Sequence, residues 1–588
     1  MTAVIAGTAS PSHPSNPSSP SSPSSDPAAV RRPRLSANKI IGGAILLAMI
    51  AFAVWSLTQI DFSLYNFQRS IASLMRTISL MDPISFPSVH DLVYLISLTL
   101  GVVIAGTVVA AIISVPVAYI AAANTAPTRW LRVAGRAIGV VTRAFPDVII
   151  AMTVSLMFVL GSTWPGVIAI GFHSIGMISK LFADAIEQID EGPRTAIRAA
   201  GGSRSQQFWS GIFPQVFPSW VATALHRFDI NLRGSVILGY AGVGGLGYRM
   251  NIDFQQFPQG FGPALGIAIV IFLLCVVTEV ISSAIRVTLL GARPTRRTLG
   301  DTLMRRLRAG SRGERPRATL SREELTVEKA MRRPWTGDRI GNTVWALVGV
   351  GVVVAGFAMS NLDPRQITWG YVWSTITSFW PPSFGAYDTQ TFVQAIQQTL
   401  EMAFAAALLT FVFSLLFGSL AARNIAPNGI VRGTFRVFLV IFRGIPELVL
   451  AIVLIIITGL GPQAGVLALA FGGVGLLGKL IADSFEEVNP GPEQAVRATG
   501  AGRLQVFSSA TLPQGLPSLL GNTLYLLDTN IRAATVLGIV GAGGIGYYLT
   551  VSAGLTKTHP VVTAIVAIIV VMVLVVEGIA AYLRSVFK

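Results

Sequence analysis

Residues Gly192–Gln215 read GPRTAIRAAGGSRSQQFWSGIFPQ, and the architecture of the chain follows from what surrounds them. A long apolar segment precedes them, and a proline, Pro214, opens another directly after. The stretch itself is polar and helix-prone. The same design returns as GPEQAVRATGAGRLQVFSSATLPQ at Gly491–Gln514, 299 residues later. Gly192, Pro193, Ala196, Arg198, Ala199, Gly201, Pro214 and Gln215 reappear as Gly491, Pro492, Ala495, Arg497, Ala498, Gly500, Pro513 and Gln514. Pro193 and Pro492 suit a first helical turn. Gly201 and Gly500 suit the end of a short helix or a close backbone approach. A polar helix held between membrane spans lies at the water side, where another protein can press on it.

Composition agrees with a membrane setting. Of 588 residues, 52% are hydrophobic and 12% charged, and the mean hydropathy is +0.63. The chain holds 58 glycines, as helix-packed membrane proteins tend to. Its net charge of +16 would suit nucleic acid. The basic residues, however, cluster beside apolar segments, so positive-inside topology accounts for them and no nucleic-acid partner is expected. Cys275 is alone in an apolar run, which excludes disulfides and a cysteine metal site. The five histidines are scattered, and no metal ligation is expected.

Residues 1–37 are rich in Ser and Pro and read as a disordered tail. They are too long and too polar for the n-region of a cleaved signal peptide. Arg31, Arg32, Arg34 and Lys39 then precede a first span at Ile40–Ile60, which predicts a cytoplasmic N-terminus. NFQRSIASLMRTISLM (66–81) has helical apolar spacing and predicts a helix along the outer interface. Further spans are expected at Val93–Ala122, Ala144–Leu160, Pro165–Ile186, Phe213–Gly239 and Phe261–Leu289. This count puts Gly192 in the cytoplasm.

A strongly basic linker over 291–338 follows. It reads as a solvated tether, or as a contact for anionic headgroups or a cytoplasmic partner. The second half repeats the plan with Thr343–Met359, Phe392–Ala422, Ile445–Leu460, Ala464–Phe485, Leu512–Gly538 and Val561–Leu583. The expected fold is an all-α integral membrane protein of about twelve transmembrane helices. Two homologous six-helix units, 38–290 and 339–588, lie parallel within it, with both termini cytoplasmic.

The duplicated polar stretch resembles the coupling segment of ATP-binding-cassette importer permeases, whose signature is E-A-A, three residues, Gly, nine residues, I-x-L-P. Here the Glu position holds Thr195 or Gln494, the second Ala position Ile197 or Val496, and the Ile position Gly211 or Ala510. The first Ala, the Gly and the Pro stand at matching spacing in both copies. The resemblance implies a type I importer permease whose coupling helices seat on two cytoplasmic ATPase subunits. It also implies an extracytoplasmic substrate-binding protein. ATP and magnesium would belong to the ATPases, and this chain would bind no cofactor and catalyse nothing. Such permeases usually pair as separate chains, so fusion makes a second permease chain unnecessary.

Two glycine patterns imitate nucleotide sites. Gly242–Gly247 (GVGGLG) and Gly541–Gly546 (GAGGIG) fit the dinucleotide fingerprint. Each follows an apolar span and is expected to lead to an extracytoplasmic loop, not to complete a strand–turn–helix unit. Gly473–Lys479 (GVGLLGK) imitates a P-loop, but Leu480 replaces the required Ser or Thr.

The fifth span of each half is the candidate substrate pathway. His226–Gly247 reads HRFDINLRGSVILGYAGVGGLG, and Tyr525–Gly546 reads YLLDTNIRAATVLGIVGAGGIG. Asp229, Asn231 and Arg233 match Asp528, Asn530 and Arg532. Arg227 has no twin, since Leu526 takes its place. This pattern resembles permeases of the phosphonate importer branch, which implies phosphonate or a related phosphorus oxyanion as substrate. Phosphate, phosphite or methionine remain alternative substrates, and an ion-gradient transporter is an alternative class.

A charge at the centre of a span costs ~2.5–3.5 kcal/mol on insertion scales, so it needs a partner or a wet cavity. Asp229 with Arg233, and Asp528 with Arg532, are spaced i,i+4 and could pair internally. Alternatively the arginines offer their planar forks to a tetrahedral oxyanion. Arg143 and Arg443, in RAFPD and RGIPE, are expected to snorkel to headgroups.

Overall fold

A computed structural model describes residues 37–60, 79, 83–256, 259–289, 337–553 and 558–587. All of the Ser/Pro-rich tail but Ala37, the basic linker up to residue 336 and all but one residue of the 66–81 stretch lie outside the described residues. Among those described there is no β-strand. One isolated bridge joins Phe158 to Ile367.

The first half contains α1 (Ala37–Gln59), α2 (Val89–Ala121), α3 (Arg129–Ala144), α4 (Asp147–Ser155), α5 (Trp164–Glu187), α6 (Glu191–Ala199), α7 (Phe213–Tyr240), α8 (Leu246–Gln255) and α9 (Phe261–Leu289). The second contains α10 (Gly337–Met359), α11 (Trp369–Ser378), α12 (Thr389–Ala421), α13 (Gly429–Gly444), α14 (Glu447–Thr458), α15 (Pro462–Glu486), α16 (Pro490–Ala498), α17 (Leu512–Leu537), α18 (Ile545–Ala553) and α19 (His559–Val586). Only α11, whose Trp369, Tyr371 and Trp373 are exposed, lacks a described first-half counterpart.

Among the described residues, eight helices are long and apolar enough to cross a membrane alone, and three bent pairs raise the number to 11. Helix α7 falls short on composition because His226, Arg227, Asp229 and Arg233 interrupt it.

The third expected span of each half needs correction. Ala144–Leu160 and Ile445–Leu460 are not continuous membrane helices. Helix α4 has nine residues, roughly 14 Å at 1.5 Å per residue, against a hydrocarbon core of about 30 Å. Helices α3 and α4 meet at 75°, and α13 and α14 at 80°. The cause is visible in RAFPD and RGIPE. A residue before proline avoids helical geometry. Phe145 and Ile445 accordingly adopt extended backbone, with ψ of 118° and 123°.

The expected extracytoplasmic loops after the glycine runs are also corrected. Each run is a sharp reversal into a short helix, α8 or α18, which returns to the core. Leu246 and Met250 are fully buried, as are Ile545 and Leu549. A Cβ on Gly239 would lie 2.1 Å from the Gly247 carbonyl carbon, so only hydrogen fits there. The Leu246 amide donates to Thr99 Oγ1 and that of Ile545 to Thr399 Oγ1, both at 2.9 Å.

The paired centres are α2 against α5 and α12 against α15. Small residues allow these helices close contact, as lipid-embedded packing requires. The P-loop imitation in α15 lies where α13 crosses that helix. A Cβ on Gly475 would come within 2.5 Å of the Arg443 backbone nitrogen, and one on Gly478 within 2.5 Å of Leu439 Cδ2.

The first helices of the two halves are exchanged. Helix α1 packs on α12 and α19, and α10 packs on α2. Phe52 meets Phe404 edge-on with ring centroids 5.0 Å apart. Gly101 lies so near the Ser360 backbone that a Cβ would approach its nitrogen to 2.4 Å.

Candidate substrate pathway and coupling site

Helix α7 carries Arg227, Asp229 and Asn231 buried, with Arg233 half-buried behind them. Asn231 Nδ2 donates to Thr107 Oγ1 at 2.9 Å and to Ser174 Oγ at 3.1 Å. Arg227 Nε donates to the same Ser174 hydroxyl at 3.0 Å. Ala407 and Gly473 stand in the places of Thr107 and Ser174 in the second half. The consequence is direct: Asn530 is buried, and its Nδ2 has no acceptor among the described residues.

The i,i+4 pairing holds in one half and is replaced in the other. Arg532 Nη2 meets Asp528 Oδ2 at 2.5 Å. Arg233 instead reaches Glu279 of α9 at 3.5 Å, while Asp229 accepts from Ser282 of the same helix at 2.8 Å. Ala580 occupies the matching place on α19. A neighbouring helix thus supplies polar partners to α7 that its own sequence cannot reveal.

Arg143 and Arg443 do not follow the snorkelling expectation. Arg143 Nη2 pairs with Glu577 Oε1 at 2.9 Å, and Arg443 Nη2 with Glu279 Oε1 at 3.8 Å. Each is an ion pair between halves, and the two are related by the internal repeat. Their side chains are only 17% and 21% exposed. Burial against a carboxylate, not headgroup contact, satisfies these charges.

Residues of both halves converge around Arg227. Asp147, Tyr525 and Arg532 act on it electrostatically. His173 lies in the same field, under the influence of Arg227, Asp147 and Arg532, and its Nδ1 is 3.0 Å from the Phe145 carbonyl. Asp147 and His173 are additions to the residues read from sequence. The available signal was the acid recurring after proline in RAFPD and RGIPE.

At the other end of α5 and α15 stand α6 and α16, the expected coupling helices. No residue of α6 is buried, and Glu493 alone is buried in α16. Asp190 caps the Gly192 amide and Asn489 the Gly491 amide, each at 2.9 Å. Gly201 and Gly500 have φ of 78° and 82°, the left-handed geometry that ends a helix. Pro193 and Pro492 sit in the first turns, and Ala196, Arg198 and Ala199 are exposed.

An acid does serve each coupling helix, from outside the register of the E-A-A motif. Glu493 Oε1 accepts from Asn424 Nδ2 at 2.9 Å and from Thr511 Oγ1 at 2.5 Å. In the first half Glu191 accepts from Asn124 Nδ2 at 2.8 Å. Asn124 also donates to the Ile186 carbonyl, and Asn424 to that of Phe485. The turn after α2 or α12, the end of α5 or α15, and the coupling helix are thereby tied together.

Residues 114–286 and 414–586 each match the family described as the binding-protein-dependent transport system inner membrane component. The chain belongs to that family. Both matches contain a coupling helix and the charged helix that follows it. The two permease units account for the repeat, and the protein is a multi-pass membrane permease.

Among curated relatives, the phosphate-import permease protein PhnE of Mycolicibacterium smegmatis is 37% identical over 491 residues, covering 83% of this chain and 84% of that one. The phosphite transport system permease protein PtxC of Stutzerimonas stutzeri is 39% identical over 35% of this chain and 74% of its own length. A putative cryptic phosphonate transport system permease protein, PhnE2 of Escherichia coli, is 46% identical over 14% of this chain and 68% of its own.

Proposed function

We propose that this permease passes a phosphorus oxyanion (phosphate, phosphite or phosphonate) through a pathway between its halves, with Arg227 and Arg532 as its principal cationic contacts. The observation that carries this reading is their convergence. Arg227 of α7 and Arg532 of α17 act on one another across the halves, with Asp147 and Tyr525 beside Arg227 and Asp528 beside Arg532. An anion entering there adds to that compensation of charge, and guanidinium forks match oxyanion geometry. Asn530 Nδ2 and Arg233 Nε are buried donors without acceptors among the described residues, which suits a passing acceptor-rich ligand. Asp528 orients Arg532, Asn231 holds the Ser174 hydroxyl that receives Arg227, and Asp229 ties α7 to Ser282 of α9. The names of the three relatives described above, a phosphate, a phosphite and a phosphonate permease, point the same way.

In this reading two cytoplasmic ATPase subunits grip α6 and α16 through Gly192, Pro193, Ala196, Arg198, Ala199 and Gly201 and through Gly491, Pro492, Ala495, Arg497, Ala498 and Gly500. ATP and magnesium belong to those subunits, and the permease itself catalyses nothing. The Asn124–Glu191 and Asn424–Glu493 ties carry ATPase closure to the ends of α2 and α12. A binding protein delivers substrate outside, both termini face the cytoplasm of a bacterial cell, and no second permease chain is required. The units run over 38–290 and 339–588, with a terminal tail and a basic tether as accessory segments.

Uptake of radiolabelled phosphate, phosphite and methylphosphonate by the reconstituted importer tests the pathway. Arg227→Gln is expected to lower uptake of the transported anion at least roughly tenfold, the scale of a lost charge-assisted hydrogen bond, while the ATPases still co-purify. Arg532→Gln alone strands Asp528, so the decisive variant is Asp528→Asn with Arg532→Gln. Continued failure of that pair supports anion contact. Recovery of uptake would reduce Arg532 to half of a structural ion pair and overturn the assignment.

A further inference from the structure

The two coupling regions differ in a way that transport does not explain. Position 194 is Arg where the second half has Glu493. Beside it, in the first half, lies a polar cavity of about 290 Å³ lined by Tyr119, Asn124, Thr125, Arg194, Arg198 and Arg204. Arg194 spends its charge on Glu191, with Nη1 at 3.1 Å and 3.0 Å from the two carboxylate oxygens. For Arg198 and Arg204 no acceptor appears among the described residues. Their repeat partners are engaged: Arg497 Nη2 donates to the Asn424 carbonyl at 3.5 Å, and Arg503 Nη1 to that of Pro427 at 2.7 Å. The same two positions are thus folded onto the chain in one half and left facing a cavity in the other.

We propose that this cavity is a binding site for a phosphate group, separate from the transport pathway. After Glu191 is set against Arg194, two guanidinium charges remain, which matches a phosphate dianion better than a carboxylate. Planar forks can each give two parallel hydrogen bonds to a tetrahedral oxyanion. The hydroxyl-bearing side chains Tyr119 and Thr125 add polar lining. The wall of the cavity comes from the end of α2, the turn that follows it and the coupling segment, so an occupant would bridge the elements that transmit ATPase movement. Either free phosphate or the headgroup of an anionic lipid supplies the required chemistry, because the cavity adjoins the end of a membrane span.

Equilibrium binding of ³²P-phosphate to the full-length permease in phosphatidylcholine nanodiscs tests the proposal. Two double variants are compared with the wild type: Arg198→Gln with Arg204→Gln, and Arg497→Gln with Arg503→Gln. Both leave the central arginines untouched, so the difference between them isolates the cavity. The first pair is expected to weaken one class of phosphate sites roughly tenfold or more, as loss of charge-assisted hydrogen bonds implies, and the second to leave it unchanged. If a lipid is the occupant, phosphatidic acid in the nanodisc displaces phosphate from the wild type, and native mass spectrometry finds that lipid retained by the wild type and lost from the first variant. Should the first variant fold poorly, Arg204→Lys keeps the charge but not the fork and is expected to weaken binding by an intermediate amount. Equal phosphate binding by both double variants, with no difference in retained lipid, would overturn the site. So would phosphate binding left intact in the first variant while ATPase co-purification is lost, which would leave Arg198 with docking alone and give Arg204 the same role.

Discussion

Gly201 and Gly500 mark both coupling segments in the sequence, and the structure shows what they do there. A Cβ on either would meet no atom within 4 Å, so space is not what demands glycine. Their left-handed φ is, since an L side chain there costs about 1–2 kcal/mol. A tryptophan at Gly201 would therefore unwind the helix end as well as obstruct a partner, whereas Ala196 or Ala199 probes docking without that strain. Glu279 is the opposite case, a residue with no motif and two basic partners, Arg233 and Arg443. Glu279→Gln is expected to destabilise the protein by roughly 3–5 kcal/mol, the cost of removing one partner from a buried ion pair. Ser282→Ala removes one hydrogen bond and should cost about 1 kcal/mol. Thermal unfolding of the purified permease ranks the two, and a smaller loss for Glu279→Gln would contradict this account.

At the scale of the element, helix existence was legible and helix continuity was not. Apolar length located α2, α5, α12, α15 and α19 because a membrane span must satisfy its backbone internally. The same criterion merged α4 and α14 into full spans, since hydropathy does not register a bend. The pre-proline residues Phe145 and Ile445 carried the signal. Glycines sort by crossing: Gly475 faces the Arg443 backbone, while Gly433 on α13 has nothing within 4 Å. Gly475→Ala is expected to cost about 1–3 kcal/mol by forcing α13 from α15. Gly433→Ala should be neutral or add about 0.5–1 kcal/mol through helix propensity. Unfolding midpoints of the two variants should shift in opposite directions or in one direction by very different amounts. Equal losses would show that the crossing does not matter.

Across the whole molecule, the halves are joined by more than a linker. Helices α1 and α10 are exchanged, and Arg143–Glu577 and Arg443–Glu279 form related ion pairs between the units. Those pairs join the bends after α3 and α13 to the final helix of the opposite unit, so relative movement of the halves must strain or break them. Arg143→Glu sets two carboxylates together and is expected to abolish coupled uptake. The charge swap Arg143→Glu with Glu577→Arg should restore a substantial part of it. Uptake and ATPase stimulation measured together check this, and a swap no better than the single variant would remove the pair from the mechanism.

The sequence by itself determined the repeat, the membrane class, the placement of the polar helices and the charged residues of α7 and α17. These are properties of composition, period and internal comparison, and each is local to a short segment. Tertiary structure alone decided which acid each arginine meets, why Arg233 departs from the pattern Arg532 keeps, and that an arginine from each half shares one field. It also decided that Glu191 and Glu493, outside the motif register, serve equivalent ties. The physical reason is lateral packing: a buried charge takes whichever partner the neighbouring helices bring within a few ångströms, and no pattern along one strand of sequence encodes that neighbour.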